Sequence, residues 1–209
     1  MKITLIALMV VGLTHMHYNE MLDRLHQKQR TFKLMEENER FSQASQILYA
    51  TLKDSIFEAW YGTEWDFNGT TNIPQEGEIA CGYFVSTTLK HAGFNLNRYK
   101  IAQQDSRTII NVICGRENVT TKTSKNALIN ALSERQDGLY ILGLSYHVGY
   151  ILIENQEIYF VHADFFSDQV IKEKLTESKA INTSSIFVFG EVTNNRKLIN
   201  AWLNQEKLY

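Results

Sequence analysis

Three residues of this sequence have the types and order for nucleophilic chemistry: Cys81, His147 and His162. Cys81 lies in Ala80-Cys81-Gly82-Tyr83-Phe84-Val85, where a glycine-bearing loop gives way to a helical pattern. A thiol attacks only as thiolate, and a free cysteine is mostly protonated near neutrality. A helix N-terminus corrects this in part, because its unpaired amides and dipole favour an anion. A nearby imidazole that accepts the proton corrects it further. His147, in Tyr146-His147-Val148-Gly149-Tyr150, is the candidate base. Its other ring nitrogen then needs an orienting partner. His162, in Val161-His162-Ala163-Asp164, is the candidate for that part. Asn155-Gln156 is a break of hairpin length between them. A turn centred there pairs residues 147–149 with residues 162–164, so the two histidines become near neighbours on antiparallel strands.

The elements that must position these groups follow from periodicity. Residues 18–62 read as helical. Their first part, through Glu39, is rich in charge and amide groups and reads as an exposed helix or flexible leader. In the second part Phe41, Ala44, Leu48, Leu52, Ile56 and Trp60 recur at three- and four-residue steps and form one apolar face, with Gly62 as the stop. Residues 62–80 hold three glycines and the only proline, Pro74, and read as a loop. Helices are expected from Cys81 to about His91, over about 105–113 and over 124–135, with Asp105 or Ser106 and then Ser124 as caps. After Gly138 the period changes. Residues 139–144, 147–154, 157–163 and 186–192 read as strands, and 196–207 as a last helix. Helices first and a mostly antiparallel sheet afterwards predict an α+β fold.

On residue types alone the bland readings stay open. A cysteine at a helix start is commonly a small buried residue, and a histidine beside a glycine in a strand is commonly a satisfied core or edge group. A metal site is poorly supported: no histidines are spaced i, i+4, no CxxC occurs, and Asp164 and Asp168 make a loose ligand set around His162. No cofactor is expected. The second cysteine, Cys114, ends a short apolar helix and reads as a buried free thiol. A Cys81–Cys114 disulfide in an exported structural or interaction protein is the competing reading, and it excludes a nucleophilic Cys81.

The 209 residues suffice for one domain with a real core. A net charge of -2 gives no electrostatic case for binding nucleic acid or an anionic membrane. Residues 3–13 (ITLIALMVVGL) follow Lys2 and resemble the apolar region of a secretory signal, too short to span a bilayer. They predict export, with a mature chain that begins within residues 14–20 and has no membrane span. Read instead as a buried strand or helix, they leave the protein cytoplasmic. The expected organisation is a signal over 1–17, a helical extension over 18–62 and a hydrolase domain over 63–209.

The order of Cys81 in CGYFV, His147 in HVGYIL and His162 in YFVHAD resembles the NlpC-type cell-wall cysteine peptidases of the papain-like clan. The resemblance spans about residues 65–170. It implies a papain-like α+β fold, with the cysteine heading a helix packed on an antiparallel sheet. It also implies Cys81 as nucleophile, His147 as general base and His162 as the orienting third residue, acting on amide bonds of peptidoglycan stem peptides. A papain-like domain that binds wall peptides without cleaving them is the alternative. Trp65 stands where the family has an aromatic residue, usually tyrosine, that helps form the oxyanion site. Tyr61 offers a hydroxyl nearby, and Gly82 adjoins the nucleophile. Two positions depart from the family pattern: Ala80 replaces the Asp before the cysteine, and Gly82 the Ser after it.

Overall fold

The computed structural model describes residues 2–209, with side chains from residue 16 onward. The side chains of the apolar segment 3–13, on which the signal expectation rests, lie outside the described residues. Among the described residues, no helix is long and apolar enough to cross a membrane.

The first helix, α1, covers Lys2–Phe32. Its outer half was expected to be exposed or flexible, yet Tyr18, Leu25, Gln29 and Phe32 are buried. They recur at three-, four- and seven-residue steps, so they form one narrow stripe along the helix. Gln29 satisfies its amide there by donating to the carbonyls of Gly93 and Trp202. The predicted continuous helix over 18–62 is therefore two helices, with a turn at residues 33–36. The second, α2 (Glu37–Thr51), runs through a π-helical turn at Leu52–Phe57 into α3 (Glu58–Trp60). The expected apolar face is buried at Ala44, Leu48, Leu52, Ile56 and Trp60. Gly62 follows with φ +83°, a conformation that suits glycine at a helix stop.

The loop from 62 to 80 is tied down on several sides. Gly62 N–H donates to the Val170 carbonyl, Trp65 N–H to Asp168, Ile79 N–H to Glu64 and Ala80 N–H to Gly69. Buried Arg98 donates to the carbonyls of Thr70 and Thr71 and to the Thr87 hydroxyl. It thereby staples the loop to α4 (Cys81–His91), from α5 (Arg98–Ala102). Asp105 caps α6 (Ser106–Cys114) by accepting from the Thr108 N–H.

Next come β1 (Val119–Lys122), α7 (Lys125–Ser133), β2 (Gly138–Gly143), β3 (Val148–Glu154) and β4 (Glu157–Asp164). The chain ends with β5 (Gln169–Lys174), α8 (Lys179–Asn182), β6 (Phe187–Glu191) and α9 (Arg196–Asn204). The six strands form one sheet in the order β1-β6-β2-β3-β4-β5, antiparallel throughout. The fold is α+β.

Alternate residues of the central strands face different layers. Leu139, Ile141, Val148, Tyr150, Leu152, Val161 and Ala163 join a core with α1–α6 and α9. Tyr140, Leu142, Ile151, Ile153 and Phe160 join a second core with Leu128 and Leu132 of α7 and Ile181 of α8. Helices cover both faces, so β2 is buried along its whole length.

Candidate active site

Cys81 is the first residue of α4, and Ala80 at its N-cap makes no side-chain cap. Ala80 accepts at its carbonyl from the Phe84 N–H, so the amides of the first turn have no partner inside the helix. Three N–H groups reach the sulfur: those of Val148, Gly82 and Cys81 itself. Burial pushes the thiol pKa up, and these amides pull it partly back down. Cys81 and Cys114 are both free thiols.

His147 immediately precedes β3, and the N–H beside it, that of Val148, is one of the three at the sulfur. Cys81 and His147 line the same cavity of about 410 Å³, whose wall also includes Gly82, Ser106, Arg107 and Tyr146. The pairing Tyr150↔Val161, continued by one residue, sets Gly149 opposite His162. This is the register expected from a turn at Asn155-Gln156. It brings His147 Nε2 to 2.8 Å from His162 Nδ1, with both residues buried.

The two rings occupy the face that also carries Phe160. Phe160 stacks on His162 with centroids 4.1 Å apart, and Phe165 meets His147 edge-on at 5.8 Å. Cys81 approaches from the opposite face, on α4. Burial lowers the pKa of His147 to about 3, and the charge of His162 pushes the same way. Burial thus favours the neutral form of both groups that share the cavity.

A residue that sequence reading missed completes the cluster. Glu173 on β5 has Oε1 3.0 Å from His162 Nε2. Burial raises its pKa, but the hydrogen bonds of His162 and Ser178 and the charges of His162 and Lys179 outweigh this and leave it lowered. Asp164 lies 3.9 Å from His162 Nδ1, and its carboxylate is engaged by the Phe166 N–H and by the Ser167 N–H and hydroxyl.

Compared with family models and with curated proteins, the sequence matches none. Among solved structures it is similar to a protein from Legionella pneumophila described by the family model DUF1460, at 12% identity and TM-score 0.40, over 83% of this chain and 95% of that one. It is also similar to an N-acetylmuramoyl-L-alanine amidase from Bacteroides uniformis, at 10% identity and TM-score 0.37, over 71% and 99%. A candidate xylanase from Bacteroides fragilis is matched at 11% identity and TM-score 0.37, over 65% and 99%. At these values the likeness decides neither family nor activity, and the chemistry must be argued from the side chains.

The remaining expected residues divide. Gly82 lines the cavity, and it is glycine for a steric reason: a Cβ there would lie 2.5 Å from the Ala102 carbonyl oxygen. A serine at this position would collide with α5. Trp65 and Tyr61 do not line the cavity. Trp65 packs on Phe165 at 6.1 Å, one ring removed from His147. Tyr61 packs against the larger core, where burial and the charges of Glu58, Glu154 and Asp54 push its pKa up. Its hydroxyl is not brought to Cys81. Among the described residues, no group of three or more His, Cys, Asp or Glu side chains is placed to hold a metal ion.

Proposed function

We propose that this protein is a cysteine hydrolase of amide bonds, with Cys81 as nucleophile, His147 as general base and His162 as the residue that orients it. One observation carries the reading. The buried 2.8 Å contact between His147 Nε2 and His162 Nδ1 leaves Nδ1 of His147 as its free nitrogen, on a cavity wall shared with Cys81. Nδ1 accepts the thiol proton as the sulfur attacks the carbonyl carbon. The amides of Cys81 and Gly82, which have no partner within α4 and face the sulfur, serve the oxyanion. The C–N bond breaks, and Nδ1–H of His147 returns the proton to the leaving amine. Water then attacks the thioester, releasing the carboxylate and restoring the thiol. Trp65, through Phe165, flanks the base without touching the reacting atoms.

The substrate class comes from the sequence resemblance to cell-wall peptidases: an amide in a peptidoglycan stem peptide, met by an exported enzyme. Mucopeptide digestion by the wild type and by Cys81→Ala tests this. Release of new amino groups that Cys81→Ala abolishes, together with loss of labelling by a thiol-reactive probe, is the expected result. Equal release by both proteins would end the proposal.

Burial that favours the neutral form of both groups supports one other reading, a domain that binds wall peptides without cleaving them. In that case the wild type binds the mucopeptides, Cys81→Ala binds them equally, and neither releases amino groups.

A further inference from the structure

We infer that Glu173 is a positioning residue of this site: its carboxylate fixes the proton of His162 on Nε2 and so leaves Nδ1 of His147 unprotonated toward the cavity. The inference rests on the proposed role of His147 as base, and it adds a fourth member behind the three that the sequence pattern marks.

The argument runs along the hydrogen bonds. An ionised carboxylate only accepts. Glu173 Oε1, 3.0 Å from His162 Nε2, therefore requires the proton on Nε2. A neutral His162 then offers a bare Nδ1, which can only accept. The partner 2.8 Å away, His147 Nε2, must donate to it. A neutral His147 with its proton on Nε2 has a bare Nδ1. With both rings neutral, each assignment fixes the next, and the chain starts at Glu173.

The groups facing the relay fit this order. Glu173 pairs with Phe160 across β4 and β5, two residues from Ile171, the partner of His162. Its side chain therefore shares the His162 face. Phe160, stacked on His162, holds the plane of that ring. From the start of α8, Ser178 and Lys179 bond to or attract the Glu173 carboxylate and keep it ionised. Asp164 is the other acid within reach, but at 3.9 Å it lies beyond hydrogen-bond distance of His162 Nδ1 and is used by its own turn. Nothing else displaces His147 from that nitrogen. When His147 takes the thiol proton, the charge it gains is buried, and Glu173 behind His162 is the nearest bonded counter-charge. Glu173 does not line the substrate cavity, so it touches neither the peptide nor the reacting atoms.

The test compares wild type, Glu173→Gln and Glu173→Ala at pH 7.5 by long-range nitrogen NMR of the histidine rings, iodoacetamide alkylation of Cys81, and mucopeptide hydrolysis. Wild type should show protonated Nε2 and bare Nδ1 on both His147 and His162. Gln retains an acceptor oxygen, so Glu173→Gln should keep the tautomers and lose about tenfold in kcat at unchanged KM. Glu173→Ala should mix the His162 tautomers and lose roughly a hundredfold in kcat. Unchanged ring nitrogens and alkylation rate in folded Glu173→Ala would overturn the inference. If Glu173→Ala does not fold, unchanged kcat in Glu173→Gln would overturn it instead. A wild type that hydrolyses nothing, while Glu173→Ala still mixes the tautomers, would sink the hydrolase reading and leave the positioning role standing.

Discussion

Gly149 is the position at which one added methyl group should disable the site without replacing any residue of the relay. Gly149 lies across from His162 on the neighbouring strand. A Cβ at Gly149 would sit 2.7 Å from the His162 Cβ, 2.8 Å from Phe160 Cε2 and 2.9 Å from the Val161 carbonyl oxygen. Non-bonded carbons settle at about 3.5–4.0 Å, so His162 must retreat by roughly 1 Å. The backbone oxygen cannot yield, and Phe160 is itself fully buried. A 1 Å retreat stretches the 2.8 Å contact between His147 and His162 past the hydrogen-bond limit. Overpacking of this kind costs about 1–3 kcal/mol, and two buried nitrogens left unpaired add about as much again. Gly149→Ala should therefore lower stability by about 3 kcal/mol, a fall in Tm of roughly 6–12 °C for a chain of this size. A displacement of about 1 Å in a catalytic group costs on the order of a hundredfold in rate. Calorimetry, histidine ring NMR and mucopeptide hydrolysis on one preparation make the assay. A variant with the wild-type Tm and wild-type ring nitrogen shifts would refute this account of how His162 is seated.

Three further outcomes follow from named contacts. Gly82→Ser should destabilise by about 2 kcal/mol and lower activity, because the Ala102 carbonyl already fills that space; chemical denaturation checks it, and a stable, more active variant would contradict it. Arg98→Ala should cost about 3 kcal/mol or more, since the guanidinium is buried and holds Thr70, Thr71 and Thr87; increased proteolysis within residues 62–80 is the companion signature. Burial, with the charges of Arg98, Lys90 and His26, lowers the pKa of His91 to about 4. Tyr18 Oη, which accepts from Trp60 Nε1–H, is 2.9 Å from His91 Nδ1. The unfolded chain takes up that proton near pH 6.5, so stability is full above this pH and falls as pH drops from about 6.5 toward 4. Urea unfolding should give about 2.5 kcal/mol less from His91 at pH 4.5 than at pH 7.5, with a similar loss from buried His147. His91→Gln should remove about half of the pH dependence, and an unchanged slope would refute the assignment.

The parts of the fold that were legible in the sequence are those whose burial is one-sided or whose turn is short. The α2 face from Ala44 to Trp60 repeats at helical steps because one side alone meets the core. The pairing of β3 with β4 follows from the two-residue break at Asn155-Gln156, and with it the meeting of His147 and His162. What escaped the sequence has a physical reason in each case. The stripe Tyr18, Leu25, Gln29 and Phe32 is too sparse to raise the local hydropathy, and Gln29 is polar. Strand β1 reads Val-Thr-Thr-Lys, and β5 reads Gln-Val-Ile-Lys-Glu-Lys; both are sheet edges with few buried residues. Because β5 was not recognised, Glu173 read as one surface charge among several. Its partner is a histidine eleven residues away whose ring only the β4–β5 register brings near. Arg98 escaped for a similar reason, since its acceptors are mostly backbone carbonyls, which carry no sequence signal.

The strongest argument for chemistry at this end of the sheet is its cost. Two imidazoles are packed among Phe160 and Phe165, with a half-buried carboxylate behind them, where apolar side chains of similar volume would hold the strands at least as well. Burying such groups is tolerable only when each polar atom finds a partner. Here His147 Nε2, both nitrogens of His162 and the Glu173 carboxylate are matched among themselves. The chain of partners ends at His147, which lines a cavity together with Cys81 and Gly82. A structural network would close on itself. This one ends at His147, which lines the same cavity as Cys81, and an open end of that kind is what the proposed hydrolase reading requires.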